Sequence, residues 1–326
     1  MKITEQLRIL ALHSKLVQSI LGDEELVIDN SSFEALTQCD VKGFIELFLK
    51  KKPVRNAAPL VFGGAFHKAM ETFYKGGSEE ASLEAALNEA EAGNLNGLED
   101  PKRHLGSLQE LVRFYFMDEK LRKDKLVPIT LGSEPFVEKS FAFYLGDIEI
   151  TSGTVVKKVR VIWSGRIDLV VERPDGIYPV DHKTTSVMGA QFADDKQRSS
   201  QMLGYSWATT KFLASVGDLR SFRGMLINAV CMRSKGFERQ LYTLPYTTWQ
   251  LEQWQLETLV ILQTTLSRLL HTLGNNFLCP CRTSCVTKYG KCSHFNTCQL
   301  GSDAMERLVL DKAFYEDDTW SPLKED

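Results

Sequence analysis

The chain has 326 residues, of which 43% are hydrophobic and 25% are charged, and its formal net charge is −3. These values fit a folded protein with a sizeable core, and they exclude a uniformly basic nucleic-acid coat but not a local basic groove. No run approaches the roughly 20 apolar residues of a membrane span, and the first 20 residues have no signal-peptide core. We therefore expect an intracellular, cytoplasmic protein that makes no membrane contact.

Two helices are predicted before residue 53. The first spans residues 3–21, and its apolar residues recur at helical spacing. The second spans residues 33–52, follows a polar cap and carries Cys39. A lone cysteine on a helix is usually a small buried hydrophobe, so its position alone assigns no function.

A third helix is predicted to open around Leu60–His67 and to continue to about Tyr74. Gly63 and Gly64 precede its regular part and permit a close approach of the backbone. Taken alone, His67 is best interpreted as a partly buried structural histidine. Glu71 lies one turn later and points the same way.

Residues 76–133 are predicted to form a helical insertion or lid, with helices over 79–92 and 105–123. Strands follow over 134–163, with turns expected at Gly146-Asp147 and at Gly153. Glu138 leads into these strands. We expect its side chain to face solvent, although it could reach a metal site formed elsewhere.

The most informative stretch is Val161–Lys183, which is typical of a β-hairpin. A β-branched, apolar strand leads into the turn Arg173-Pro174-Asp175-Gly176, and a second apolar strand follows. If Glu172 and Ile177 flank the turn as a pair, the register of the hairpin is set.

That register places Asp168 opposite Asp181, with side chains about 5 Å apart on one face. Alternation along a strand adds Lys183 to the same face. Adjacent carboxylates repel unless they share a cation, and oxygen ligands suit Mg²⁺ or Mn²⁺. A lysine there can act on an attacking water or on the phosphate, which fits metal-assisted phosphodiester hydrolysis. The alternative is a surface hairpin with exposed ion pairs that contribute little.

A helix is predicted over residues 188–214, with Gln201 and Tyr205 on one face. Strands over 221–231 and 237–244 and a core helix over 249–272 follow. Basic side chains on these strands either contact phosphates or form a solvated face; they are Arg223, Arg233, Lys235 and Arg239.

Five cysteines fall within 20 residues, from Cys279 to Cys298. Disulfides are unexpected in a reducing compartment, so clustered thiols in a loop-like segment indicate Zn²⁺ or an iron–sulfur cluster. The acidic segment 315–326 is expected to be a loose tail.

Together the motifs closely resemble the PD-(D/E)xK nuclease superfamily in its RecB-like exonuclease branch. They are GxxD at Gly165–Asp168, apolar-Asp-x-Lys-Thr at Val180–Thr184, QxxxY at Gln201–Tyr205 and GxxxH at Gly63–His67. Ile167 replaces the proline of the family's name, which is a common departure in that branch. The resemblance covers roughly residues 30–300, and residues 76–135 carry none of its motifs.

The resemblance implies an α/β, restriction-endonuclease-like core, in which a central mixed sheet is flanked by helices. It implies catalytic roles for Asp168, Asp181 and Lys183. Mg²⁺ or Mn²⁺ would be held by the two aspartates and His67, with the backbone carbonyl of His182 as a further ligand. Gln201 and Tyr205 would touch the nucleic-acid strand.

RecB-like iron–sulfur nucleases place one early and three late cysteines around a [4Fe–4S] cluster. The resemblance assigns these positions to Cys39, Cys285, Cys292 and Cys298, although the first late spacing is wider than in many members. Cys279 and Cys281 are then surplus. The choice stays open, because Cys279 or Cys281 could replace one of these ligands and Zn²⁺ could use the Cys279–Cys285 group.

The predicted domains are N-terminal helices with Cys39 and the GxxxH element (1–75), a helical insertion (76–133), the nuclease core (134–275) and a cysteine-rich cluster segment with an acidic tail (276–326). The leading hypothesis is a metal-dependent DNA exonuclease or end-processing nuclease in repair or recombination, working in the host cytoplasm if a phage encodes it. Its substrate would be single-stranded DNA or duplex ends. Without a P-loop, unwinding would come from a helicase or recombination partner.

Two alternatives belong to other classes. One is a catalytically inert iron–sulfur module that binds nucleic acid or a helicase. The intact set of Asp168, Asp181 and Lys183 argues against it, because a binding module has no need of that charge cluster. The other is a site-specific endonuclease, for which the sequence shows no recognisable base-reading element.

Overall fold

The computed structural model describes the chain except residues 23–24, 55–56, 119–125, 153, 288–289, 320, 322 and 324–326. The end of the predicted helix 105–123, the turn at Gly153 and most of the last seven residues lie outside the described part. The chain divides into two compact units, residues 1–55, 142–165 and 253–326 (the first unit) and residues 56–141 and 166–252 (the second unit). The functional division at residues 75, 133 and 275 stays a prediction.

The described helices are, in chain order, α1 (Glu5–Leu12), α2 (Lys15–Leu21), α3 (Asn30–Gln38), α4 (Asp40–Gly43), a π-helix (Phe44–Phe48), α5 (Ala58–Tyr74), α6 (Glu79–Ala92), α7 (Leu105–Met117), α8 (Ala190–Gln197), α9 (Ser200–Ser215), α10 (Thr248–Gly274) and α11 (Ser302–Leu310). Short 3₁₀ turns occur at Leu95–Gly97, Arg282–Ser284 and Thr297–Gln299. Within the described part, no helix has both the length and the apolar character needed to cross a membrane.

The described strands are β1 (Leu26–Ile28), β2 (Lys51–Pro53), β3 (Val127–Pro128), β4 (Thr130–Leu131), β5 (Glu134–Pro135), β6 (Val137–Ser152), β7 (Val155–Arg173), β8 (Gly176–Thr185), β9 (Met225–Arg233), β10 (Gly236–Leu244), β11 (Val286–Thr287), β12 (Gly290–Lys291) and β13 (Tyr315–Asp317).

The main sheet has seven strands, in the order β1-β7-β8-β9-β10, with β3 and β6 also paired to β7. It is mixed, because β1–β7 and β8–β9 are parallel whereas β7–β8 and β9–β10 are antiparallel. The predicted fold class, an α/β restriction-endonuclease-like core, is confirmed.

The first unit corrects two predicted helices. The helix predicted over 3–21 is two helices, because the Ser14 side chain accepts a hydrogen bond from the Val17 N–H and starts α2. The helix predicted over 33–52 ends at Gln38. Cys39 adopts an extended backbone (φ −165°, ψ 131°) between α3 and α4, so it does not lie on a helix.

Two predicted irregular segments of this unit are regular. Residues 315–317 are not a loose tail but strand β13, which pairs antiparallel with Lys51–Pro53 and is supported by a Lys51–Asp317 ion pair. No turn interrupts β6 at Gly146. That glycine has φ +154°, and a Cβ there would lie 2.5 Å from Leu259 of α10, so the glycine permits close packing within a continuous strand.

The second unit has a core in which α5–α7 pack on strands of the sheet. Its buried members include Phe62 and Phe66 of α5, Leu111 of α7, and Leu169 and Val180 of the sheet. The segment predicted as one helix over 188–214 is divided into α8 and α9, and the first strand after it begins at Met225 rather than Ser221. This packing fixes the β7–β8 hairpin against α5.

Candidate active site

The β7–β8 hairpin has the predicted register. Glu172 pairs with Ile177, and the ladder continues to Leu169 opposite Val180. The ladder ends there, and Asp168 and Asp181 are the next residue of each strand, close enough for the charge of Asp181 to raise the pKa of Asp168. The turn chemistry at Arg173–Gly176 therefore sets the position of both carboxylates.

Asp181 and Lys183 lie on one face of β8, as alternation along the strand predicts. The Lys183 Nζ donates to Asp181 Oδ1 over 2.9 Å. Asp168 is 7% exposed and Asp181 is fully buried. The alternative of a surface hairpin with exposed ion pairs is therefore wrong.

Helix α5 brings His67 to this hairpin, with its Nδ1 3.2 Å from Asp168 Oδ2. The helix begins at Ala58, and Pro59 lies in its first turn, which is a favoured place for proline. Gly63 and Gly64 consequently lie inside the helix rather than before it. Glu71 is engaged elsewhere, because it pairs with Lys68 and Lys75.

Glu138 also belongs to the site, contrary to the prediction that its side chain faces solvent. Ligand atoms of His67, Glu138 and Asp168 all lie within 4.8 Å of one another. Glu138 has φ +50°, an uncommon backbone state for a residue other than glycine. Hydrophobic alternation does not predict such a backbone state, so no sequence pattern indicates the direction of this side chain.

The carboxyl groups of the site interact strongly through their charges. Burial raises the pKa of Asp168, and the neighbouring Asp181 raises it further. Burial, followed by the charges of Asp168 and Glu71, raises the pKa of Glu138 to about 9. Asp181 Oδ2 is buried and has no hydrogen-bond partner among the described residues. Such a group favours a bound cation, which would relieve the repulsion and satisfy the free oxygen.

His182 presents its backbone and its side chain to different partners. Its N–H donates to Asp168 Oδ2 over 2.9 Å. Its ring is buried, with Nδ1 2.9 Å from Asn228 Nδ2, and it stacks on Tyr74. Burial lowers the pKa of His182 well below its usual value, and His67 and Arg239 lower it further, so the ring is neutral.

Arg239 corrects one prediction for the basic side chains of the last strands. It is neither in a solvated face nor free to contact phosphate, because it is 3% exposed. Its Nε donates to Asn228 Oδ1 over 2.8 Å. Asn228 also contacts His182. Arg239, Asn228 and His182 therefore form a buried polar network that supports the strand carrying Asp181 and Lys183.

Gln201 and Tyr205 lie on one face of α9 as predicted, and Gln201 Nε2 donates to the Tyr205 hydroxyl over 3.3 Å. Burial raises the pKa of Tyr205, and the charges of Asp168 and Asp181 raise it further. The tyrosine therefore lies within electrostatic range of both carboxylates.

The predicted cluster cysteines come together within the first unit. The Cys281 N–H points to Cys39 Sγ at 3.3 Å. Burial, followed by the neighbouring thiols of Cys39, Cys292 and Cys285, raises the pKa of Cys298 to about 12. These four sulfurs are therefore electrostatic neighbours. Cys279 is exposed.

Two buried polar residues, Asp40 and His294, hold the cysteine segment to the N-terminal helices. Asp40, next to Cys39, accepts from Arg268 over 2.6 Å and from the Cys279 N–H over 3.3 Å. His294, between Cys292 and Cys298, contacts Glu46 at 2.7 Å and the Tyr315 hydroxyl at 2.9 Å. Sequence reasoning missed these contacts, because Asp40 and Arg268, and His294 and Glu46, are more than 220 residues apart in the chain.

Comparison with known proteins gives one family. The model of the PD-(D/E)XK nuclease superfamily matches residues 30–286, and none of the curated proteins matches. Among the solved structures that match is one titled "Crystal structure of SSO0001", with 12% identity, a TM-score of 0.24 and coverage of 76% of this chain and 84% of that chain. The family match spans most of the sequence and contains the Asp168, Asp181 and Lys183 group, so the chain belongs to the PD-(D/E)XK nuclease superfamily, whose members are metal-dependent nucleases.

Proposed function

We propose that the chain is a RecB-like, metal-dependent DNA exonuclease or end-processing nuclease that carries a structural [4Fe–4S] cluster. The observation that carries the catalytic part is the buried pair of Asp168 and Asp181 with Lys183 beside it. Buried carboxylates at this density cost stability unless they bind a cation. The family membership supplies the nucleic-acid substrate, and the RecB-like motifs favour DNA ends.

The residues fit Mg²⁺ or Mn²⁺. His67, Asp168 and Asp181 would hold the ion, with Glu138 and the carbonyl of His182 as further ligands. Carboxylate oxygens dominate this set, as these ions prefer, and the unpartnered Asp181 Oδ2 supports the assignment. When bound, the ion polarises the phosphate and lowers the pKa of an attacking water.

Lys183 would then act directly on the reacting groups. Its side chain is 23% exposed, so the ammonium is held by Asp181 yet accessible to substrate. From that position it can donate a hydrogen bond to the water or to a phosphate oxygen, and its positive charge opposes the negative charge that develops there. Gln201 and Tyr205 would contact the bound strand through an amide and an aromatic ring.

The cluster assignment rests on Cys39, Cys285, Cys292 and Cys298. The thiols of Cys39, Cys285 and Cys292 are electrostatic neighbours of Cys298. Clustered thiols suit an iron–sulfur cluster or Zn²⁺, and the resemblance to RecB-like iron–sulfur nucleases favours the cluster.

The test begins with anaerobic purification, a visible spectrum and iron and sulfide analysis. Digestion of 5′- and 3′-labelled single and double strands with Mg²⁺ or Mn²⁺ then measures activity, with the Asp181→Asn variant as control. We expect cleavage from ends and no cleavage of a circular single strand. Cutting of the circle would establish an endonuclease, and DNA binding with no cleavage under either metal would establish the inert module.

A further inference from the structure

Three buried polar side chains form a row across adjacent strands of the main sheet, next to the candidate active site. His182 of β8 is the register partner of Asn228 of β9. Arg239 of β10 lies diagonally across from Asn228, because Asn228 itself pairs with Leu241. The Arg239 Nε donates to Asn228 Oδ1 over 2.8 Å, and Asn228 Nδ2 lies 2.9 Å from His182 Nδ1. The row therefore links β10 to the residue that follows Asp181.

The arginine determines the direction of each hydrogen bond in this row. A guanidinium has only donors and stays protonated, so the Asn228 atom that contacts it is the amide oxygen. The amide nitrogen then faces His182 Nδ1 and, at 2.7 Å, the Tyr115 hydroxyl. Since an amide nitrogen only donates, His182 Nδ1 accepts. The proton of this neutral imidazole therefore lies on Nε2.

The bond from Asn228 orients the imidazole. The His182 Nε2 is buried and has no hydrogen-bond partner among the described residues. The ring stacks on Tyr74, with centroids 5.6 Å apart. Stacking fixes the plane of the ring but not which of its edges faces β9. The hydrogen bond to Nδ1 makes that choice.

The main chain of His182 lies where β7 and β8 separate. The β7–β8 ladder ends at Val180, and from there the backbone of β8 pairs with β9. The His182 N–H donates instead to Asp168 Oδ2 over 2.9 Å. Because Asp181 and Lys183 flank this residue, a rotation of its backbone would displace both side chains. An anchor on the His182 ring therefore bears directly on the geometry of the site.

We propose that Arg239 is a positioning residue for phosphodiester cleavage, and that it acts through the Asn228 amide on the His182 ring. This inference rests on the proposed nuclease function. The guanidinium orients the amide, the amide orients the imidazole, and the imidazole fixes the main chain beside the catalytic lysine. Arg239 Nη1 also lies 3.6 Å from Asp118 Oδ2. A buried ion pair adds little stability over a well-packed apolar pair, so we expect the role of Arg239 to show in the reaction rate.

The first test measures the position of the ring proton and needs no turnover. In metal-free protein labelled with ¹⁵N-histidine, the His182 signals are those lost in His182→Gln. They should show a neutral ring with its proton on Nε2. Asn228→Asp replaces the donor by an acceptor at nearly constant volume, so in that variant Nδ1 should carry a proton. A wild-type ring with its proton on Nδ1 would overturn the inference.

The second test separates positioning from stability. Arg239→Met removes the donors and keeps an unbranched stem. It should lower kcat at saturating Mn²⁺ about 10–100-fold, the usual loss for a residue that orients a metal-binding group, and leave KM within about twofold. Arg239→Lys keeps a charged donor and should restore kcat to within about fivefold of wild type. Met232→Ala is the matched control, because Met232 is buried on the same face of β9 as Asn228; it should lower Tm without changing kcat.

Two kinetic results would contradict the positioning role. One is an unchanged kcat in Arg239→Met, and the other is an equal loss of kcat in Arg239→Met and Met232→Ala, which would assign the effect to destabilisation. If Arg239→Met does not fold, Asn228→Asp takes its place, since it keeps Arg239 paired; a wild-type kcat in that variant would equally overturn the inference. A wild-type chain that cleaves no DNA would refute the nuclease, whereas cleavage that is insensitive to Arg239 would refute only its positioning role.

Discussion

The His182 N–H donates to Asp168 Oδ2 over 2.9 Å, so the carboxylate of one hairpin strand is tied to the backbone of the other. The donor lies between Asp181 and Lys183. A one-residue slip of the hairpin would turn both of those side chains to the opposite face. The register of this hairpin therefore determines which side chains form the site.

The first prediction concerns the two carboxylates. Asp168→Asn and Asp181→Asn should each lower the cleavage rate at least about a thousandfold, because each removes a metal ligand. Melting in chelator should be unchanged or raised, since each variant removes a charge that repels its neighbour. A cleavage assay with Mn²⁺, together with thermal melts in chelator, measures both effects.

Asp194→Asn is the matched control, because Asp194 is an exposed residue of α8 with no described role. It should leave both rate and Tm unchanged. If Asp168→Asn and Asp181→Asn cleave at near wild-type rates, the active site lies elsewhere.

The second prediction separates Lys183 from metal binding. Lys183→Ala should keep the Mn²⁺ affinity within a few-fold, because the ammonium pairs with Asp181 Oδ1 and leaves Oδ2 untouched. The value of kcat should fall by about 10²–10⁴, the range for a group that acts on the proton or charge of the transition state. Titration calorimetry with Mn²⁺ and single-turnover cleavage test the two halves. A loss of Mn²⁺ affinity that matches the loss of rate would assign Lys183 to ion binding instead.

The hairpin could be predicted from sequence because its determinants are local. Turn residues and strand alternation place Asp168, Asp181 and Lys183 without knowledge of the rest of the fold. Glu138 could not be placed, because its direction depends on a left-handed backbone state. Cys39 was misplaced on a helix, since apolar periodicity continues across the extended residue that ends α3. The contacts of Asp40 and Glu46 join segments more than 220 residues apart, which no local pattern indicates.

The third prediction tests the cluster. Cys39→Ala and Cys298→Ala should each lose iron and sulfide and lower Tm, because each removes a proposed ligand that joins distant segments. Cys279→Ala, the exposed surplus thiol, should retain both. Visible absorption and metal analysis after anaerobic purification read out the result. Stoichiometric zinc without sulfide, together with a well-folded Cys39→Ala variant, would contradict the cluster.

The fourth prediction concerns the strand-contacting pair of α9. Gln201→Ala and Tyr205→Ala should weaken oligonucleotide binding about five- to tenfold, the lower part of the range for a lost base contact. The Tyr205 variant should also lose some stability, because its ring contacts Phe141. The Kd, calculated from the concentration of folded protein, and the free energy of unfolding, measured by chemical denaturation, separate the two effects. A stability loss of several kcal/mol with unchanged Kd would mean that this face is only core.

The last prediction uses the pH dependence of Glu138. Its pKa in the fold is about 9, well above its value of about 4.5 when unfolded, so between these values the folded state binds more protons than the unfolded state. Stability in chelator should therefore fall as pH rises from about 5 to 9. Glu138→Gln should reduce this slope and be more stable than wild type at pH 8, with the difference closing near pH 5. Asp168 contributes in the same direction, and because its charge raises the pKa of Glu138, the difference between the two proteins reports the titration of this interacting pair.

Metal binding gives an independent readout of the same group. If Glu138 is a ligand, Mn²⁺ must displace its proton, so calorimetry in buffers of different ionisation enthalpy should show proton release at pH 7 that Glu138→Gln diminishes. The variant should also bind Mn²⁺ more weakly. Glu110→Gln, on the exposed surface of α7, serves as the control and should follow wild type throughout. Equal pH slopes and equal proton release in Glu138→Gln and wild type would show that Glu138 is ionised in the metal-free fold and takes no part in holding the ion.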